Sequence, residues 1–243
     1  HSTIGSMADL DAASITDVRN WFIDHYGPNN VVLVLAGDID AKTARPMVQR
    51  WFGDIPGGPV VAKVAAAPVP LPATVSEQIA DQVPVTRIYR VWTGPAITDA
   101  DSVPLQIGFH ILGGLASSRL DTALVRKEQL AVRVAAYAQQ QEQVSFLEAE
   151  MDVKPGVDRA KAEARLDELI ADFAAKGPTE DELKRAATQT LSSQIGALEV
   201  VGGFGGKGAT LAGGLVYQGD PAAYKQDVKR MAALTPAEVR DAM

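Results

Sequence analysis

The chain has 243 residues, of which 47% are hydrophobic, so it can bury a core and is long enough for one large or two modest domains. Its formal net charge of −7 argues against nucleic acid or an anionic membrane as partners, and the absence of cysteine excludes disulfides and thiolate metal sites. No apolar run approaches the roughly 18 residues that span a bilayer. Residues 1–11 lack the pattern of a signal peptide, so we expect neither a signal peptide nor membrane insertion in this sequence.

The first predicted elements are two amphipathic helices that flank an apolar segment. Ser14 followed by Asp17 predicts a capped helix that ends at a Gly-Pro pair, and Asp40 predicts the cap of a second helix. Between them, residues 31–39 (VVLVLAGDI) form an apolar run that is rich in β-branched residues. A run of this length predicts a buried central strand.

Residues 60–85 differ in composition from the rest of the chain because they hold prolines at positions 68, 70, 72 and 84. Prolines at this density favour an extended, semi-rigid segment over a helix or a paired strand. We therefore predict a linker at 60–85 between a first unit, residues 1–59, and a second unit, residues 86–243.

The second unit begins with a strand and ends with a block of helices. The patterns predict strands at 86–94, 130–139 and 143–153, the last two as an antiparallel hairpin, and helices at 102–114, 117–129 and 157–176. The inner face of the last of these helices should carry Leu166, Leu169, Ile170 and Phe173. Thr179 and Glu182 predict a capping box for the helix that follows. This order of elements predicts an α+β fold.

Two short stretches of the chain resemble each other. Residues 13–22 (ASITDVRNWF) and 234–243 (LTPAEVRDAM) both have a hydroxyl residue, an acidic residue three positions on, and then Val-Arg. Thr235 lies 221 residues after Ser14, a spacing that suits a tandem duplication. In that case the sequence is a fragment whose second unit lacks a last strand after Met243. Chance similarity between two short capped helices is the alternative.

Taken together, these motifs resemble the M16 (pitrilysin/insulinase) zinc metallopeptidases. The stretches YGPNNVVLVLAGDID at 26–40 and WFGDIPGGP at 51–59 resemble the end of that family's first domain. ILGGLASSRLDTALVRKEQLAVRV at 111–134 resembles the helix-loop-helix and strand of its second domain. FGGKGATLAGGLVYQGDP at 204–221, with LTPAEVRDAM, resembles that domain's closing helices.

The resemblance implies tandem-duplicated, two-layer α/β units of the LuxS/MPP-like metallohydrolase type, in which an antiparallel sheet packs against helices. Two such halves close around a chamber that admits unfolded peptides. In the family, zinc is held by the histidines of a His-x-x-Glu-His helix and by a later glutamate, and the motif's own glutamate is the general base. These residues precede the segment at which this sequence begins. The resemblance therefore implies zinc in the full-length protein, and no metal ligand or catalytic residue in this segment.

Other metal or phosphate sites are not indicated by the sequence. The chain has three histidines, none of which has the four-residue spacing of two ligands on one helix face: His1, His25 and His110. We interpret all three as structural or incidental, with His110 as a core imidazole in an apolar helix. A G-x-G-x-x-G pattern within residues 202–208 follows a predicted helix rather than a strand, which favours a flexible helix junction over a phosphate site.

Many active M16 members carry an arginine and a tyrosine around the end of the second domain's short helix, where they help to hold substrate in the zinc site. The matching positions here are Val125 and Val132. Arg126 is a poor substitute, because one residue along a helix rotates the side chain by about 100°. We therefore hypothesise that the full-length protein borrows this clamp from a partner M16 subunit or a tandem M16 unit.

Two groups of residues are candidates for contact with a peptide substrate. The resemblance implies such contact by the GGLASS segment, in which Gly113 or Gly114 should supply a left-handed turn and Ser117 the cap of the next helix. The carboxylates that alternate along one predicted strand, and so share one face, are Glu148, Glu150 and Asp152. A solvated sheet face is the simpler interpretation. As part of the chamber wall, the same carboxylates would favour basic peptides.

These observations favour part of a zinc-dependent M16-type metallopeptidase that degrades or processes unfolded peptides. In this interpretation the segment forms the non-catalytic half of the substrate chamber and is inactive by itself. The resemblance to exported bacterial members implies a periplasmic or cell-envelope location. The alternative is a non-catalytic M16-like scaffold or partner subunit with a binding or assembly role. The residues upstream of His1 distinguish the two, since they either contain His-x-x-Glu-His or lack it.

Overall fold

The computed structural model describes residues 5–243, which form nine α-helices, three strands and three shorter helical segments. The helices are α1 (Met7–Ala12), α2 (Ile15–His25), α3 (Ala41–Phe52), α4 (Ser102–Phe109), α5 (Arg159–Lys176), α6 (Glu180–Glu199), α7 (Lys207–Gln218), α8 (Tyr224–Ala232) and α9 (Pro236–Ala242). The strands are β1 (Arg87–Gly94), β2 (Ala131–Gln139) and β3 (Ser145–Val153). The shorter segments are a 3₁₀ turn, Pro28–Asn30, and two π-helical segments, His110–Gly114 and Asp121–Lys127. The predicted α+β class is confirmed.

The three strands form one antiparallel sheet in the order β1-β3-β2. In the central strand β3, Asp152 lies opposite Arg87 on one side and opposite Arg133 on the other. The predicted hairpin at 130–139 and 143–153 is confirmed, with an irregularity in the pairing between Ala131 and Arg133. This order leaves β2 as an edge strand, whose outer side has no strand partner in the described part of the chain.

The hydrophobic core lies between the helices and one face of the sheet. The residues of β3 that point to the helices are buried and alternate with those of the open face: Leu147, Ala149, Met151 and Val153. In α5, Leu166 and Phe173 are completely buried, while Leu169 and Ile170 are partly buried against the same core. The predicted inner face of this helix is therefore confirmed. Burial of a Leu or Phe side chain stabilises a fold by roughly 1.5–3 kcal/mol, so this core holds the second unit together.

The start of α6 is joined to the start of the second π-helical segment by an ion pair. The predicted capping box is present, because Thr179 Oγ1 accepts from the Glu182 backbone nitrogen (3.3 Å) and the Glu182 carboxylate accepts from the Thr179 backbone nitrogen (2.8 Å). The same carboxylate accepts two hydrogen bonds from Arg119, both of 2.8 Å. These bonds, the Arg119 ones above all, lower the pKa of Glu182 to about 2. Arg119 also lies over the ring of Phe173, 4.7 Å from its centroid.

The two predicted helices that follow β1 are less regular than the sequence indicates. The first, predicted at 102–114, is α4 followed by the π-helical turn His110–Gly114. The second, predicted at 117–129, is π-helical over Asp121–Lys127. A π-turn adds one residue to the helical ring and is frequent where a helix must bulge toward a neighbour or a site. Here the first π-turn brings the backbone of Gly113 against β2.

Residues 5–59 contain no buried residue. The two helices predicted around the apolar run are confirmed, each with its cap: Ser14 with Asp17, and Asp40 with the Thr43 backbone nitrogen (2.7 Å). The strand predicted at 31–39 is wrong, because these residues pair with no other segment of residues 5–243. The apolar pattern is that of a strand, but a strand forms only beside a partner, and no described segment lies alongside.

The linker at 60–85 has neither helix nor strand; one side-chain carboxamide holds its first part, and another holds the two residues before it. Gln143, in the turn between β2 and β3, donates to the Val64 carbonyl (2.8 Å) and accepts from the Ala66 backbone nitrogen (3.1 Å). Just before the linker, the Asn29 carboxamide donates to the Pro59 carbonyl (3.2 Å) and accepts from the Gly58 backbone nitrogen (2.8 Å). Each carboxamide bonds both a donor and an acceptor of the extended backbone, as a neighbouring strand would.

The two similar stretches at 13–22 and 234–243 form α2 and α9, and both begin with a complete capping box. Their packing differs. Val239 of α9 is completely buried among residues of the second unit, where α9 contacts α4 and α5. Val18, its counterpart in α2, is 46% exposed. The sequence pattern thus produces the same capped helix twice, whereas burial depends on the elements around it.

Candidate functional site

A groove of about 660 Å³ runs along the outer edge of β2. One wall consists of residues 134–138 of β2, and the opposite wall consists of Gln189, Thr190 and Ser193 of α6. The π-helical turn His110–Gly114 and the residues after it form its floor. Consecutive residues of a strand point to opposite faces of the sheet. A groove that is lined by five consecutive residues therefore lies beside the edge of the strand and not over one face of the sheet.

The outer edge of β2 carries unpaired backbone groups. Its only strand partner among residues 5–243 is β3, and no other backbone hydrogen bond in that range involves residues 132–139. An edge strand of this kind presents a row of free N–H and C=O groups on which another extended chain can pair. The groove therefore gives access to a strand edge with which one more extended chain can pair.

Gly113 and Gly114 shape the floor of the groove. A Cβ on Gly113 would overlap the backbone nitrogen of Ala136, and a Cβ on Gly114 would overlap Nδ1 of His110. Neither glycine has a positive φ, so the left-handed turn expected at this pair is wrong. The chain turns instead through the π-helical ring, and glycine is needed at both positions for close approach.

Ser117 is exposed beside the groove and does not line it. The expected cap at this residue is wrong, because Ser118 accepts the hydrogen bond of the Asp121 backbone nitrogen (3.4 Å) and is buried. The two serines are adjacent and both suit an N-cap, so the sequence gives no basis for choosing between them. Of the three residues predicted here for peptide contact, the structure thus brings Gly113 and Gly114 into the groove.

His110 is half-buried in the floor of the groove rather than enclosed in the core. Burial lowers the pKa of its imidazole, while a hydrogen bond with Gln189 acts in the opposite direction. The lowered pKa favours the neutral imidazole, which presents a donor and an acceptor. Among the described residues, the one charged side chain that lines this groove is Asp121, which is paired with Arg126 (2.6 Å).

The three predicted carboxylates lie together on the open face of the sheet, away from the helices. Arg87 donates to both oxygens of Asp152 (2.5 and 2.8 Å), and Arg133 pairs with Glu150 (2.5 Å). The Arg87 guanidinium lowers the pKa of Asp152, and a hydrogen bond to Glu148 raises the pKa of Tyr137 to about 12. Both Glu150 and Asp152 are buried beneath these partners. Two of the three negative charges are therefore neutralised locally.

The positions that match the family's arginine and tyrosine occupy different surroundings. Val125 is partly buried against the core, and Val132 is 49% exposed near the start of β2. The side chain of Arg126 is held by Asp121 and by the Ala116 carbonyl (2.7 Å), at the far end of the groove floor. None of the three provides a free cation or phenol at the position of the clamp.

The remaining sequence motifs lie away from the groove. His25 Nδ1 donates one hydrogen bond to the Trp21 carbonyl (3.0 Å), and the ring stacks on that of Trp21, while His1 lies outside the described residues. The glycine pattern at 202–208 joins α6 to α7, and a helix rather than a strand precedes it, as predicted. Within residues 5–243, no three His, Cys, Asp or Glu side chains are grouped so that they could hold a metal ion.

The family model of the peptidase M16 inactive domain matches residues 12–190. The chain belongs to this family, whose members are peptidase-related, non-catalytic domains. No curated protein matches the chain. In the part of the chain that the structure describes, no helix combines the length and the apolar character needed to cross a membrane.

Solved structures that share the fold come from bacteria and from a yeast. A peptidase M16 inactive domain from Pseudomonas fluorescens has a TM-score of 0.82 at 18% identity, covering 100% of this chain and 57% of that one. A protease from Helicobacter pylori has a TM-score of 0.80 at 18% identity, covering 98% and 57%. A chain of complex III2 from Candida albicans has a TM-score of 0.73 at 12% identity, covering 98% and 57%. The present chain thus spans little more than half the length of each.

Proposed function

We propose that this chain forms the non-catalytic, peptide-binding half of the substrate chamber of a zinc-dependent M16 metallopeptidase, which degrades or processes unfolded peptides. In this proposal residues 1–59 are the tail of a first M16 unit and residues 60–85 are the linker. Residues 86–243 are most of a second unit that lacks its last strand. The observation that carries the proposal is the outer edge of β2, which pairs with no strand of residues 5–243, beside the groove.

An extended peptide fits this edge for two reasons. The backbone groups of β2 recognise another backbone whatever its side chains are, which suits a substrate class defined by being unfolded. Alternate side chains of the bound peptide would then enter the groove between β2 and α6. Backbone pairing supplies the affinity, and the groove supplies the selectivity.

The described residues do not fit a zinc ion, since they offer no group of ligands for it. The proposal therefore assigns zinc to the full-length protein, where it would activate water for hydrolysis. The chain's own contribution is to bind a peptide and to orient it. By itself this segment should bind peptides without cutting them.

The proposal also includes a partner M16 subunit or a tandem M16 unit, because Val125 and Val132 cannot supply the arginine and tyrosine of the clamp. A full-length protein that remains monomeric should then cleave unfolded peptides poorly until the partner is added. Full activity of the monomeric protein alone would contradict the partner requirement while leaving peptide binding at β2 intact.

A scaffold or assembly subunit is the second candidate, supported by the missing clamp and by the shared fold with a chain of complex III2. The two candidates differ in the chemistry of the full-length protein. Stoichiometric zinc, together with hydrolysis that a chelator abolishes, is expected of the peptidase. A zinc-free full-length protein that assembles with a partner and cuts nothing would support the scaffold.

The peptide-binding proposal is tested with an uncharged, ten-residue peptide of alternating Val and Thr, acetylated, amidated and fluorescently labelled. Its binding to this chain is measured by fluorescence anisotropy beside that of the same peptide with every backbone nitrogen methylated. Backbone pairing predicts that methylation abolishes binding, because no donor remains. Equal affinity of the two peptides would overturn the proposal.

A pair of variants locates the site. Ser193→Trp places a large side chain in the groove and should weaken binding of the unmethylated peptide at least tenfold. Gln226→Trp makes the same change on an exposed position of α8, outside the groove, and should leave the affinity unchanged. Equal effects of the two variants would show that the peptide binds elsewhere.

The open sheet face is a second surface on which substrate preference can be tested. We propose that a preference for basic peptides, if this face lines the chamber, depends mainly on Glu148, because Glu150 and Asp152 are already paired with arginines. Replacement of all three residues by Gln or Asn should remove that preference. An unchanged preference among charged peptides would contradict a role for this face.

A further inference from the structure

A second depression on α6 continues the groove toward the start of that helix. It is an open, shallow surface formed by α6 alone, and its residues include Gln189 and Ser193, which also line the groove. Beyond these shared residues lie Lys184 and Arg185. Arg185, Gln189 and Ser193 are four residues apart, so they form one row along the helix that leads from the groove to the two cations. A peptide that follows this row passes directly to them.

Lys184 and Arg185 make no ion pair with any residue of the described chain. Two acidic residues, Glu180 and Asp181, lie one helical turn earlier in α6, and neither forms an ion pair with these cations among the described residues. By contrast, arginines elsewhere near the sheet and the groove are engaged, as Arg133 is with Glu150. The two cations of the depression are therefore exposed and available to an incoming anion.

The groove itself has little net charge. Its one charged lining residue, Asp121, is paired with a guanidinium, and burial lowers the pKa of His110 and so favours the neutral imidazole. The two cations at the α6 end therefore meet no opposing free charge within the groove, and the carboxylates of Glu180 and Asp181 lie one helical turn beyond them. A bound peptide would meet one charged end, where a carboxylate is stabilised and an ammonium group is repelled.

From this juxtaposition we propose that Lys184 and Arg185 select extended peptides that place a carboxylate at the α6 end of the groove. The carboxylate is an acidic side chain or the terminal carboxyl group of the peptide. This inference rests on the proposed peptide-binding function and adds a determinant of specificity to it. Exposed ion pairs change affinity by about 1.5- to 5-fold each, so two cations should together give about a fivefold preference.

The experiment compares four peptides that share the uncharged Val-Thr core. One has no charge, one ends in two glutamates with an amidated terminus, one has only a free terminal carboxyl group, and one ends in two lysines. We expect about fivefold tighter binding of at least one carboxylate peptide than of the uncharged peptide, and weaker binding of the lysine peptide. Comparison of the amidated glutamate peptide with the free-terminus peptide shows whether the two cations bind an acidic side chain or the terminal carboxyl group. Equal affinity of all four would overturn the inference.

The variant Lys184→Gln with Arg185→Gln should reduce that ratio to about one while the uncharged peptide still binds. Lys225→Gln with Lys229→Gln removes the same charge from exposed positions of α8 and should leave the ratio unchanged. The ratio should also fall as salt is raised, because exposed charges are screened. A preference that survives the α6 variant, or is lost equally in the α8 variant, would contradict the assignment.

Failure of the inference is distinguishable from failure of the proposed function. If the uncharged peptide binds through its backbone but carboxylates add nothing, only the inference falls. If carboxylate peptides bind in an α6-dependent way and the uncharged peptide does not bind, backbone capture at β2 falls and the role of the two cations stands. If none of the peptides binds, both fall.

Discussion

Residues 5–59 and residues 86–243 contain helices that begin with the same signals, yet only the second region buries them. Helix α2 exposes Trp21 and Phe22 by more than half, whereas α9 buries Val239 completely. Both helices have complete capping boxes. The difference teaches that capping and periodicity determine where a helix forms, while its stability in the fold depends on neighbours that the local sequence does not encode.

The largest expected effect comes from making the same substitution in the two regions. Phe173→Ala removes a completely buried ring from α5 and should lower the free energy of unfolding by about 3–5 kcal/mol. Phe22→Ala removes a ring of α2 that is 52% exposed and should cost about 0.5 kcal/mol or less. Urea denaturation of this chain measures both. Similar costs would contradict the contrast between the regions and would show that α2 is packed.

A pair of glycines in the second region gives the next largest difference. Gly113→Ala drives a Cβ into the backbone of Ala136 and should destabilise the fold by about 1–3 kcal/mol while displacing β2. Gly213→Ala, within α7, meets no atom within 4 Å and should stabilise it by about 0.5–1 kcal/mol. Thermal unfolding compares the two variants with the parent chain. A neutral Gly113→Ala would show that the turn does not approach β2 as closely as described.

The pH dependence of stability tests the ion pair at the start of α6. The folded-state pKa of Glu182, about 2, lies below its ordinary value of 4.5. The contribution of the ionised Glu182 to the free energy of unfolding is therefore complete above about pH 4.5 and is lost as the pH falls toward 2. Glu182→Gln should cost about 1–2 kcal/mol at pH 6 and almost nothing at pH 2.

Glu180→Gln, an exposed change in the same turn, is the matched control and should show no such trend. The measurement is the urea midpoint of each variant across this pH range. A cost of Glu182→Gln that stays constant from pH 6 to pH 2 would contradict the ion pair.

The smallest effect is expected where the two regions meet, at the linker. Gln143→Ala removes both hydrogen bonds that hold Val64 and Ala66 and should change global stability by less than about 0.5 kcal/mol. It should nevertheless speed hydrogen exchange of the Ala66 amide several-fold, because local opening becomes easier. Gln141→Ala, in the same turn, leaves both bonds in place and should not change that rate. Equal rates in the two variants would show that the carboxamide does not hold the linker.

Much of the fold could be predicted because its signals are local. Thr179 and Glu182 fix the start of α6 through bonds within one turn, and the alternation of residues 143–153 fixes which face of β3 is buried. The strand expected at 31–39 failed for the opposite reason. Its apolar pattern is typical of a strand, but a strand also needs a neighbouring strand to pair with. Whether one lies alongside is determined by other parts of the chain.

The candidate site was predicted only in part, since it depends on contacts between distant residues. The glycine pair and the three carboxylates were recognised, but the arginines that neutralise the carboxylates were not. Arg87 lies 65 residues from Asp152, and only the register of the sheet brings them together. The α6 wall of the groove was missed as well. Gln189 and Ser193 look like ordinary polar helix positions until β2 is placed opposite them.

Pairing of an extended peptide with the outer edge of β2 is the central claim. Hydrogen exchange of the backbone amides of residues 132–139, with and without the uncharged Val-Thr peptide, tests this directly. We expect protection of every second amide, those directed away from β3, and no change in the amides already bonded to β3. If saturating peptide changes none of these exchange rates, the proposed pairing at β2 is contradicted.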